Sequence, residues 1–138
     1  MKQIGLVPEF LVLDLAKSLE FYAGLLDFEV VYGREEEGFV YIKKHNVEIM
    51  LEQKGIGRNF ITAELSLPFG RGVNFQIEAE DVDALYNKFL TNKLPIFIEI
   101  EEKWYRHGEM EVGNKQFCVQ DPDGYLLRFY KDLGKRKI

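Results

Sequence analysis

One pattern limits the folds open to this chain more than any other: the order strand, helix, three strands is met twice. Residues 4–13 read as a strand. Asp14 then stands where a helix N-cap belongs. Leu15, Leu19, Tyr22 and Leu26 recur behind it at helical spacing, with Gly24 near the helix end. Three short strand candidates begin at Phe28, Gly38 and Val47, separated by the polar turns REEEG and KHN. Residues 54–71 carry glycines and a proline without a sustained period and read as a connector. After it the order starts again. A strand opens at Val73, and Asp81 begins a helix with Val82, Leu85, Tyr86, Phe89 and Leu90 on one face. Ile96 to Glu102 alternates as a strand. KQFCVQ and YLLRFY form a hairpin around Asp121-Pro122-Asp123-Gly124. Asp14 and Asp81 lie about half a chain apart. The expectation is an α+β chain, residues 1–138 as a single domain, with two βαβββ modules over about 4–53 and 72–132.

Side chains alternate across a strand, so each strand divides into two faces. Val73, Phe75 and Ile77 oppose Asn74, Gln76 and Glu78. Val47, Ile49 and Leu51 oppose Glu48, Met50 and Glu52. In the last strand Leu126, Arg128 and Tyr130 oppose Tyr125, Leu127 and Phe129. One face packs under a helix. The other is mixed, and several such faces on curved sheets suggest a cavity with a few polar groups in its wall. An ordinary solvated sheet face is the competing reading for any single strand. Arg128 is the residue that stands out, because a guanidinium in so apolar a strand calls for a partner.

Composition narrows the class. The chain has 46% hydrophobic and 30% charged residues, as a globular domain does. No apolar run approaches the roughly 20 residues of a membrane span. Met1-Lys2-Gln3 leads directly into strand-like sequence, so no leader is expected. A net charge of −5 lacks the basic excess typical of nucleic-acid binders. The basic segment at 131–138 reads as a solvated tail. A single cysteine, Cys118, can form no internal disulfide and fits a reducing, cytoplasmic setting.

Three stretches, VLDLAKSLEFYAGLLDFEVV, VNFQIEAEDVDALYNKF and QFCVQDPDGYLLRF, together resemble the vicinal oxygen chelate superfamily: glyoxalase I, extradiol dioxygenases, fosfomycin resistance enzymes and bleomycin resistance proteins. The likeness runs over about residues 4–132 and implies two βαβββ modules whose curved mixed sheets surround a cavity. In the superfamily's enzymes, side chains from the first and last strands of the modules hold a divalent metal. By that resemblance the ligand positions here are Val7, Asn74 and Arg128, with Glu48 or Glu52 as the remaining carboxylate. Valine and a protonated arginine have no lone pair to give. His45 and His107 fall in a turn and a loop.

The sequence therefore resembles the bleomycin-resistance-like branch more closely, with DPDGYLLRF ending the motif and Trp104 ahead of the final hairpin. The resemblance implies a homodimer that sequesters a small molecule without metal, cofactor or catalytic residue. The candidate ligand-binding residues are Glu48, Asn74, Trp104, Arg128, Phe39, Tyr41 and Phe60, with Tyr105 a further lining candidate; core packing is the competing role for each single ring except Trp104, whose polar stretch gives it less core to join. Arg128 is expected to pair with an acidic neighbour, most plausibly Glu48. Glu9, Glu48, Glu52, Asn74, Gln76 and Glu78 would make an acidic groove for cationic or planar aromatic ligands. The alternatives are a metal-dependent lyase, isomerase or dioxygenase with an atypical site, and a sensor or immunity-type binding partner.

Overall fold

Both aspartates cap helices. In the computed structural model, which describes residues 4–138, Asp14 and Asp81 are extended (φ −142° and −140°). Their carboxylates accept from the backbone N–H groups of Lys17 and Ala84. Such a cap stabilises a helix by about 1 kcal/mol. The helix behind Asp81, α2 (Val82–Thr91), buries Val82 and Phe89. The one behind Asp14 is α-helical only over Leu15–Leu19 (α1). It continues as a π-helical stretch over Glu20–Leu25, where the Leu26 N–H reaches back to the Phe21 carbonyl. That stretch carries the fully buried Tyr22, whose ring meets Phe21 and Phe28 edge-on at 5.1 and 5.8 Å between centroids.

The strands are β1 (Glu9–Val12), β2 (Glu29–Arg34), β3 (Phe39–Lys44), β4 (Val47–Gln53), β5 (Asn74–Glu78), β6 (Ile98–His107), β7 (Met110–Gln120) and β8 (Leu126–Lys137). They form two mixed four-stranded sheets of the same topology, β1-β4-β3-β2 and β5-β8-β7-β6. The β1/β4 and β5/β8 pairs are parallel and the others antiparallel. This is the expected pair of βαβββ modules. The chain separates into two compact units, one ending at Leu67 and the other beginning at Pro68, so the boundary falls inside the connector read from the sequence. Alternation sorts the cores as expected. Phe10, Val12, Ile42, Ile49 and Leu51 are buried in the first unit, and Ile77, Phe117, Val119, Leu127 and Phe129 in the second. Among the described residues no helix is long and apolar enough to cross a membrane.

The Asp-Pro-Asp-Gly hairpin is closed by one side chain. Asp121 Oδ1 accepts from the N–H groups of Asp123 and Tyr125, both at 2.9 Å. Gly124 has φ +101°, and a Cβ there would lie 2.3 Å from Pro68 Cβ, so this position requires glycine on two counts.

The structure differs from the sequence reading at both ends. The first strand was expected over 4–13, but ladder pairing begins only at Glu9, after Pro8, which has no N–H to donate. The segment from Lys131, expected as a solvated tail, is strand: β8 stays paired with β7 as far as Met110↔Lys137. His107, expected in a loop, ends β6. No apolar alternation marks this ribbon. Trp104 lies on Gly113, where a Cβ would approach the indole ring to 2.7 Å. The Arg136 guanidinium sits over the Trp104 ring, 3.9 Å from its centroid, and its Nε donates to Glu111 Oε1 at 2.6 Å.

Candidate functional site

On the first sheet, the face opposite the core gathers three of the expected site residues. Because Ile49 and Leu51 point into the core, Glu48, Met50 and Glu52 point the other way. Cross-strand pairing extends that face from Met50 to Tyr41 and on to Tyr32, and from Glu52 to Phe39 and on to Arg34. Tyr32 and Tyr41 stack at 5.3 Å with 16° between planes, and the Arg34 guanidinium lies 4.1 Å over Phe39. Tyr41 donates its hydroxyl proton to Glu48 Oε1 at 2.5 Å. That hydrogen bond, with lesser help from burial and from the charge of Glu48, pushes the phenol up to about 12. Glu52 is buried and committed elsewhere, because its Oε1 accepts from both the backbone N–H and the side-chain amide of Asn59. Glu9 on β1 is held above the usual carboxylate range, first by burial and then by the Glu52 charge, with Arg34 opposing. Of the two carboxylates the sequence left open, Glu52 anchors the connector and Glu48 holds the Tyr41 hydroxyl. Phe60 lies in the connector, exposed, with Arg58 above its ring at 5.0 Å.

The second sheet brings Asn74 and Arg128 together. Parallel pairing sets β5 beside β8, with Gln76 opposite Arg128, and Arg128 Nε donates to Asn74 Oδ1 at 3.1 Å. Leu127 and Phe129 face the core, so Leu126, Arg128 and Tyr130 face away from it, as the alternation requires. The same face of β7 carries Asn114, Gln116 and Cys118. A hollow of about 420 Å³ opens over this face. Its walls are Gln76 of β5, Arg128, Tyr130, Asp132, Gly134 and Lys135 of β8, Val112 and Asn114 of β7, and Tyr105 of β6. Gln116, paired with Tyr130 across the ladder, donates through Nε2 to the Tyr105 hydroxyl at 2.7 Å and to Glu101 Oε2 at 3.1 Å. Its Oε1 is the buried side-chain oxygen without a partner among the described residues. Burial pushes the Cys118 thiol up, with Arg128 opposing and Glu101 adding to it.

Trp104 stands outside this hollow. It neighbours Tyr105 on β6 and therefore faces the other side of the sheet, where its ring meets Gly113 and the Arg136 guanidinium. Reasoning from sequence named Tyr105 as a lining candidate but did not single out Tyr130, Asn114, Gln116, Asp132 or Lys135 for this hollow. For the residues of β7 the alternation with Phe117 and Val119 was the available signal. For Asp132 and Lys135 there was none, since their segment read as tail.

The residues at the resembled metal positions do not fit a metal. Val7 has an aliphatic side chain, Asn74 spends its oxygen on Arg128, and Arg128 is a cation. Among the described residues no three His, Cys, Asp or Glu side chains converge as a metal site would need.

A family model described as Glyoxalase/Bleomycin resistance protein/Dioxygenase superfamily matches residues 7–129. A crystal structure of a glyoxalase/bleomycin resistance protein/dioxygenase superfamily member from Vibrio splendidus 12B01 is 37% identical, over 91% of this chain and 95% of that chain, with a TM-score of 0.41. TioX from Micromonospora sp. ML1 is 15% identical over 95% of this chain and 100% of its own, with a TM-score of 0.73. The genomically encoded fosfomycin resistance protein FosX from Listeria monocytogenes is 17% identical over 94% and 92%, with a TM-score of 0.63. The latter two likenesses are of fold. No curated protein matches the chain.

Proposed function

Because the chain belongs to the glyoxalase/bleomycin resistance protein/dioxygenase superfamily, a superfamily whose members bind or transform small molecules, we propose that it binds a small organic molecule without a metal. The hollow of the second module is the binding surface. The observation that carries this reading is the contact between Asn74 and Arg128. It ties up the amide oxygen at one resembled ligand position and puts a fixed positive charge at another. At an effective dielectric of about 20, one unit charge about 4 Å from another contributes about 4 kcal/mol, and a divalent ion roughly doubles it. A guanidinium cannot relieve that repulsion by losing its proton.

The hollow has the mixture such sites need: two phenol rings for flat apolar contact and a few amide and charged groups for orientation. Holding a ligand in this way requires no nucleophile or general base. The expected homodimer belongs to the same proposal. It is supported by edge strand β2, which is exposed along its whole length with Val30, Val31 and Tyr32 each about half exposed, a surface that a second copy can cover. The cytoplasm is the proposed location.

The test is an NMR screen of small aromatic compounds against protein kept in excess chelator. Ligands should shift the backbone signals of Gln76, Asn114, Arg128 and Tyr130 together. If binding appears only after a divalent metal is added, or if a bound compound is turned over, the chain is a metal-dependent lyase, isomerase or dioxygenase and the proposal fails.

A further inference from the structure

We infer that the hollow of the second module selects an oxyanion, a carboxylate or phosphonate borne on a flat ring, in place of the cationic ligand that the sequence suggested. The inference rests on the binding reading above and concerns the same hollow.

The donors in the wall are more numerous than the acceptors, and most of their protons have no acceptor among the described residues. Arg128 is held by Nε to Asn74 at 3.1 Å, and among the described residues its two terminal nitrogens have no acceptor. Fixing a guanidinium through Nε leaves its planar outer nitrogens set for the two oxygens of one carboxylate or phosphonate. Tyr105 accepts from Gln116 at 2.7 Å, which orients its oxygen and leaves its own O–H without an acceptor among the described residues. Lys135 adds a second cation to the wall. Against these stands one wall carboxylate, Asp132, one of whose oxygens already accepts from the Gly134 N–H at 2.7 Å. Glu78 follows Gln76 on the same face of β5 but lies outside the wall, and Glu101, which accepts from the Gln116 amide, lies outside it as well.

The acidic groove expected from sequence drew mainly on Glu9, Glu48 and Glu52, which belong to the first unit's sheet and do not line this hollow. Two cations against one partly satisfied carboxylate give the hollow a positive balance. The two phenols, Tyr105 and Tyr130, supply the surface for a ring.

The test uses four probes of one shape: benzoate, phenylphosphonate, benzamide and benzylamine, titrated into the full chain and followed by NMR at the Arg128 Nε–H and the Gln116 side-chain amide. Benzoate or phenylphosphonate should bind at least tenfold more tightly than benzamide, and benzylamine least. Comparison of the first two assigns the oxyanion as carboxylate or phosphonate. Arg128→Gln should weaken the anionic probe by roughly ten- to a hundredfold, the range for a charge-assisted hydrogen bond. Tyr105→Phe should weaken it by a few fold, and Asp132→Asn should strengthen it. Binding of the anion should also fall as salt is raised. If benzamide or benzylamine shifts the hollow and the anions do not, the hollow binds ligands but the charge assignment is overturned. If none of the four probes shifts the hollow, the oxyanion inference fails. If a wider aromatic screen is silent there as well, the binding reading fails with it.

Discussion

Removing the Glu48 carboxylate should release the Tyr41 phenol. The hydroxyl donates to Glu48 Oε1 at 2.5 Å, and this bond is the largest of the influences that lift the phenol to about 12. An ordinary tyrosine ionises near 10, so the acid dissociation constant is depressed about a hundredfold. Glu48→Ala removes both the acceptor and its charge and should return most of that factor, leaving the smaller effects of burial and of the stacked Tyr32. Glu48→Gln keeps a neutral acceptor and should fall between. The phenol can be followed by ¹³C NMR of labelled tyrosine, with Tyr41→Phe to identify its signal among the seven tyrosines. The folded-state value is raised, so the bond contributes its full stability below the unfolded value near 10 and loses it as pH rises to about 12. Wild type should therefore lose stability relative to Tyr41→Phe across that alkaline window and not below it. A Glu48→Ala protein whose Tyr41 still ionised near 12 would refute the reasoning, since burial rather than the carboxylate would then set the value.

Phe117 and Cys118 of the second unit's core give further outcomes. Phe117 is fully buried, with its ring 5.2–5.8 Å from those of Tyr86, Phe89 and Phe129, so Phe117→Ala should cost about 3–5 kcal/mol in urea denaturation; a loss below about 1 kcal/mol would show that this ring does not hold the second core. Cys118 is buried and its thiol is pushed up, so a disulfide reagent should label the native protein far more slowly than the unfolded one; Arg128→Gln, by removing an opposing charge, should raise the thiol's apparent pKa further.

The legible part of this fold was the part written in local pattern. Asp14 and Asp81 announce their helices because a cap acts on the N–H groups a few residues ahead, and strand alternation fixed which side of β4, β5 and β8 faces the core. The π-helical stretch at Glu20–Leu25 carries no such mark. The strands β6, β7 and β8 were read from the sequence, but their outward extension past Glu102, Lys115 and Tyr130 was missed for a physical reason: it is held by Trp104 on Gly113, Arg136 on Trp104 and Arg136 with Glu111, contacts that exist only once distant strands pair. The site was legible by residue more than by partnership. Asn74 and Arg128 were both singled out, and the parallel β5/β8 ladder that joins them was implied by the repeat. The bond between them depended on side-chain reach that a one-dimensional alignment does not contain. Trp104 was chosen as a lining residue because its segment looked too polar to have a core, yet its strand gives it a glycine to cover.

The measurement that bears most directly on the metal-free reading is calorimetric titration of nickel, zinc and ferrous ions into wild type and into an Asn74→His/Arg128→Glu double variant. The account predicts no stoichiometric binding by wild type and measurable affinity in the variant, once lone-pair donors replace a committed amide and a cation. Micromolar, stoichiometric binding by wild type, lost when Asn74 is changed, would contradict it.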